Sequence, residues 1–127
     1  MVESLKKFYE YIGSDEELMY HIRINAEWNE ESFLKMQQLV REVIKDYKDK
    51  DDYPKHFVQY FMIEVPSIIN IISHFKRCDE KALSEGYTDE TYLNMIAEKV
   101  KQLEKIRWDF IYSLIDKYID DNLKRTI

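Results

Sequence analysis

Ser67, Asn70 and His74 fall three and four residues apart, so on a helix they form one stripe beside Pro66. Glu64 sits a turn earlier, at the edge of the apolar face. A proline inside a helix frees a backbone carbonyl, and a partly buried carboxylate near a histidine can run acid–base chemistry. Glu64, Asn70 and His74 are therefore the candidate ligand site of a small helical enzyme or ligand-binding bundle. The same stripe is also what the solvent face of an amphipathic helix looks like, and that reading is preferred.

Trp28 is the second residue of interest. It lies between Glu27 and Asn29-Glu30-Glu31, with Glu16 and Glu17 a little upstream. A large aromatic ringed by carboxylates suits a contact with a basic protein, so Trp28, Glu27, Glu30, Glu31, Glu16 and Glu17 form the candidate partner-binding set. The preferred role for Trp28 is nonetheless a hydrophobic staple, its ring packing back across the start of the next helix.

Other chemistries find little. None of His21, His56 or His74 has a glutamate three residues before it, as a di-iron bundle requires, and Glu17 with His21 suits an exposed turn. CxxC and HExxH are absent, so no metal or other cofactor is expected. Cys78 follows Lys76 and Arg77 and lies four residues after His74, but no glycine turn accompanies it, and it reads as a packing thiol. No catalytic residue is assigned.

The elements that must hold these residues are all helices. With only two glycines and two prolines in 127 residues, little interrupts them. A first helix is expected over 3–12, stopped at Gly13. A second is expected behind a Ser14/Glu17 capping box, and a third behind Asn29 with Phe33, Met36, Val40, Val43 and Tyr47 as its seam. Lys45–Asp52 reads as a solvated helix end and loop. Polar and apolar faces stay in phase across Pro66, which predicts one proline-kinked helix over about 55–77. Thr88 caps a long last helix over 89–123, with Leu93, Ile96, Val100, Leu103, Phe110 and Leu114 inward. Arg107 interrupts that seam, and its stem is expected to lie on apolar surface with its charge in water. The helix is long enough to need cover, from the first two helices or from a second copy in a homodimer. The expected fold is a single domain, 1–127: an all-α antiparallel bundle of four to five helices.

Charge bounds the partners. The net charge is −6, with thirteen acidic and eight basic residues in 1–53 against twelve and eleven in 54–127. A phosphate-binding surface needs the opposite sign, so nucleic acid is not an expected partner. The most apolar run, 57–75, holds Gln59, Glu64, Pro66, Asn70 and Ser73, too polar for a membrane span. A lone cysteine and an N-terminus without an apolar core lead to a cytoplasmic expectation. Ser4-Leu5-x-x-Phe8-x-x-x-Ile12 and Asp15-Glu16-Glu17-Leu18 resemble the opening helical pair of nitrogen-fixation-related leader-peptide domains, without the Gly-Gly processing site such leaders carry. The function expected is a non-enzymatic protein-interaction module, an acidic inhibitor or immunity-type protein that binds a basic partner.

Overall fold

Apolar residues at helical spacing and scarce breakers make every regular element a helix. The computed structural model describes the backbone of residues 1–126 and the side chains of residues 1–119, and no strand occurs among the described residues. The order is α1 (Glu3–Ile12), α2 (Leu18–Asn25), α3 (Glu30–Asp46), α4 (Lys55–Gln59), a π-helical turn (Tyr60–Glu64), α5 (Val65–Ser73), α6 (Glu80–Ser84) and α7 (Asp89–Thr126). α1 packs along α3, α2 touches α3 and α5, and α5 with the π turn lies on α7.

Pro66 explains the π turn. Gln59, Tyr60, Glu64 and Val65 all have right-handed helical dihedrals, so the backbone runs from α4 through Pro66 into α5 without a break. The Val65 N–H donates to the Tyr60 carbonyl, five residues back. In that register the next donor would be residue 66, which has none, so the Phe61 carbonyl is left open. Arg107 of α7 fills it, Nε donating to the Phe61 oxygen at 3.0 Å. The guanidinium also lies over the Trp108 ring, 5.5 Å from its centroid. The charge expected to reach water instead completes the backbone bonding of a neighbouring helix. Helical structure ends at Ser73, four residues before the expected limit, where His74 Nδ1 turns back to the Asn70 carbonyl at 2.6 Å.

Two starts follow sequence logic. Asn29 Oδ1 accepts from the Ser32 N–H at 2.9 Å, and Thr88 and Thr91 bond reciprocally at the start of α7. The Ser14/Glu17 capping box does not form. Ser14 Oγ donates to the Tyr11 carbonyl and accepts from the Glu16 N–H, so residues 14–17 make a turn and α2 begins at Leu18. The Leu18 N–H donates to the Tyr11 hydroxyl at 2.9 Å, and that hydroxyl donates to the Ser32 carbonyl at 3.0 Å. One buried phenol on α1 thus joins the starts of α2 and α3. The 45–52 segment is also tied down: Lys117 Nζ donates to the carbonyls of Tyr47, Lys48 and Lys50 at 2.7–2.9 Å. A cation at the C-terminal end of α3 complements its exposed carbonyls and its dipole.

The core is aromatic at its centre. Phe61 stacks on Phe110 with centroids 4.1 Å apart, and Phe57 meets Phe8, Tyr53, Phe61 and Phe110 at 5.1–5.8 Å. On α7 the buried positions are Tyr92, Ile96, Leu103 and Phe110, so Tyr92 takes the inward place expected for Leu93. The four- to five-helix expectation becomes six when 55–73 is taken as one rod, the addition being the short α6.

Candidate functional site

Tyr60 and Glu64, the two ends of the π turn, lie within electrostatic reach of Glu17, the residue before α2. Glu64 Oε2 and the Tyr60 hydroxyl are buried without hydrogen-bond partners, and Tyr60 is only 3% exposed. Burial raises the Glu17 carboxyl to about 7, the charge of Glu64 adds to the rise, and Arg23 opposes it. Burial also holds the Tyr60 phenol well above its ordinary value, with Tyr11, Glu17 and Glu64 adding to the effect. Two carboxylates and an unpaired phenol at one place are an uncompensated acidic cluster, which favours a proton or a bound cation.

Beside this cluster a cleft of about 330 Å³ opens between α1 and the 55–64 stretch, walled by Tyr9, Ile12, His56, Gln59, Tyr60, Ile63 and Glu64. His56 Nδ1 lies 3.2 Å from Gln59 Oε1 on one wall, and its ring meets the Tyr9 ring edge-on at 6.4 Å.

Of the expected Glu64, Asn70 and His74 set, only Glu64 is in this place. Asn70 and His74 are exposed, with His74 turned onto its own helix. The π turn and the end of α5 set the difference, because they turn Glu64 inward while the later stripe faces water.

The expected partner-binding set is largely engaged within the fold. Trp28 is 9% exposed and packs on Phe33 with centroids 5.0 Å apart, residue N′ against residue N4 of α3, which is a hydrophobic staple. Its Nε1 donates to Glu30 Oε2 at 2.8 Å, and Glu30 Oε1 takes Lys99 Nζ at 2.8 Å. Lys99 lies over both the Trp28 and Phe33 rings. Glu27 Oε1 lies 3.5 Å from His21 Nδ1, which is buried and makes no hydrogen bond, and no ion pair joins His21 to Glu17 among the described residues. Glu16 pairs with Lys35, and Glu17 joins the cluster described above. Glu31 stays exposed beside Asp15 on a polar cleft of about 370 Å³.

No family model matches this chain, and neither a curated protein nor a solved structure is similar to it.

Cys78 is buried, its backbone N–H donates to Asp89 Oδ1 at 2.8 Å, and burial with the charges of Asp79 and Asp89 pushes the thiol up. That is the reverse of what a nucleophile needs. Among the described residues no cluster of histidine, cysteine and carboxylates is built to hold a metal ion, and no helix is long and apolar enough to cross a membrane.

The outer face of α7 carries a second apolar row beside the inward seam. Trp108, Tyr112, Ile115 and Ile119 are 49%, 61%, 42% and 46% exposed, values high enough to leave each ring or branched chain half in water. At about 100° per residue they lie opposite buried Phe110. Their spacing of four, three and four is a coiled-coil seam, and it is present in the sequence. The inward seam of the same helix masked it, because apolar residues on both faces blur a single amphipathic stripe.

Proposed function

We propose that this protein is a non-enzymatic interaction module that associates with a second copy of itself through the outer face of α7. The observation that carries this is the row Trp108, Tyr112, Ile115 and Ile119, exposed on the side of α7 opposite the bundle. Its seam spacing suits pairing with another helix, and a two-fold axis near residues 112–115 would set each row on its own copy. The row offers an apolar ridge on the order of 400 Å², within the range at which exposed patches mark contact sites. Two such ridges and their flanking stems approach the ~1,200 Å² lower bound of specific interfaces, so a micromolar dimer is expected.

Sedimentation velocity from 1 to 200 µM tests it. A concentration-dependent dimer, lost in Trp108→Glu and in Ile115→Glu with helical content unchanged, supports the reading. A monomer throughout overturns it.

The basic-partner reading, an acidic inhibitor or immunity-type role, keeps a smaller surface. Its support is exposed Glu31 beside exposed Asp15, neither of which forms an ion pair among the described residues. A joint Asp15→Lys and Glu31→Lys change leaves the internal pairs intact and tests that surface cleanly. Salt-sensitive capture of a basic protein should be lost in that variant.

A further inference from the structure

We infer that two copies pair antiparallel through the outer face of α7, and that the acidic flank of that face makes their association tighten with salt. This rests on the self-association proposed above and adds its orientation and its control by ionic strength.

The row complements itself best in one direction. Its first half is aromatic, Trp108 and Tyr112, and its second half is branched, Ile115 and Ile119. A two-fold axis across the helices sets Trp108 on the partner's Ile119 and Tyr112 on the partner's Ile115. Each layer then joins a large side chain to a smaller one, and all layers have similar volume. A parallel pair would crowd Trp108 against Trp108 and leave the isoleucine layers underfilled. It would also bring Lys101 and Lys105, which continue the same spacing toward the helix start, against their own copies. In the antiparallel pair both lysines fall outside the partner's row.

The charges beside the row then meet their like. Upstream on this face the acids are matched within the helix: Lys101 Nζ lies 3.3 Å from Glu98, and Lys105 Nζ lies 2.7 Å from Asp109. Asp116 is exposed and forms no ion pair among the described residues. Four residues before it, where Asp109 has Lys105, stands Tyr112 of the row itself. Asp109 and Asp116 are one seven-residue repeat apart, so they share a flank, and antiparallel pairing turns that flank toward its own copy. Asp116 and the partner's Asp109 then lie on the order of 10 Å apart, at the usual separation of packed helices, and the two-fold axis makes two such meetings.

Like charges at that distance oppose association at low salt. The screening length falls from ~30 Å at 0.01 M to ~3 Å at 1 M, which removes most of the repulsion. A parallel pair lacks this feature, because Asp116 would lie across from the partner's Ile111. The sign also separates self-association from capture of a basic partner, which salt weakens.

Sedimentation velocity of the full chain at about 20 and about 500 mM NaCl tests the control by salt. The native dissociation constant is expected to fall about fivefold at the higher salt. Asp116→Asn should tighten the dimer about threefold at low salt and lose most of the salt dependence. Glu90→Gln, the same charge change at an exposed position in the first turn of α7, should leave both nearly unchanged. Orientation is read by mixing. Trp108→Glu and Ile119→Lys should each be monomeric, and their equimolar mixture should associate, because one glutamate then faces one lysine. Circular dichroism checks that each variant keeps its helical content. A native dimer indifferent to salt, or Asp116→Asn no tighter than Glu90→Gln, would overturn the acidic control. A mixture that stays monomeric while the native chain dimerises would overturn the antiparallel pairing. A native chain monomeric at both salts would overturn the self-association and this inference with it.

Discussion

Arg107 donates from Nε to the Phe61 carbonyl at 3.0 Å, and the reason lies five residues past Phe61, at Pro66. In the π register a proline at 66 leaves that oxygen without its helical donor, and a side chain from α7 replaces it. Arg107→Met keeps the apolar stem and removes the donor, so it is expected to cost about 1.5–3 kcal/mol in denaturant unfolding. Pro66→Ala returns an N–H to the helix. In that background the cost of Arg107→Met should shrink by about 1 kcal/mol or more, as a double-mutant cycle would read. Additive effects would show that the two residues do not share the carbonyl.

Tyr11 and Tyr60 make a matched pair of buried phenols with opposite expectations. Tyr11→Phe strands the Leu18 N–H and the Ser32 carbonyl, so a loss of about 2–3 kcal/mol is expected. Tyr60→Phe removes a hydroxyl that has no partner, and stability should stay within about 0.5 kcal/mol or rise. Urea midpoints of the two variants decide it, and equal losses would contradict the bonding described.

Trp28 is expected to behave as a core residue. Trp28→Ala removes the staple on Phe33 and the ring beneath Lys99, and should lower stability by about 3–5 kcal/mol. Glu30→Gln, which keeps an oxygen for Trp28 Nε1 and loses only the charge of a half-exposed carboxylate, should cost about 1 kcal/mol. A near-neutral Trp28→Ala in thermal unfolding would return Trp28 to the surface role suggested by its acidic neighbours.

Glu17 gives a pH dependence with a definite sign. Its folded carboxyl is raised to about 7 from 4.5, so the folded state holds a proton that the unfolded state has released. That contribution is fully present below about pH 4.5, falls as pH rises, and is gone above about pH 7. The group is half exposed, so solvent screening brings the effect to roughly 1–2 kcal/mol. Glu17→Gln should therefore gain stability relative to the native chain between pH 5 and pH 8. Parallel stability–pH curves for the two proteins would contradict this assignment.

Much of the fold was legible in the sequence. Asn29 and Thr88 mark starts because their side chains bond backbone groups three residues on, and the Phe33 to Val43 seam needs only a period near 3.6. The unbroken run through Pro66 was legible too, since its faces keep phase. Each of these is a relation between residues within one or two turns.

The contacts between elements were not legible in the same way. Ser14 and Glu17 satisfy the capping-box pattern, yet Tyr11 takes over the start of α2 because it lies one helix away in space. Sequence spacing groups Glu64 with Asn70 and His74, whereas the fold brings it within electrostatic reach of Glu17 and Tyr60. For Trp28 the acidic neighbours offer a surface anchor beside the preferred staple, and the choice of the staple depends on Phe33, Lys99 and Tyr92, the last of which accepts the Trp28 N–H at 3.2 Å. The sequence by itself determined the helices, their caps where a local side chain suffices, and the two apolar faces of α7. The tertiary structure decided which acids are buried, which charges are already paired, and which apolar face is left in water. The physical reason is range: helix bonding and periodicity act over a few residues, while burial and charge pairing depend on whatever the fold brings alongside.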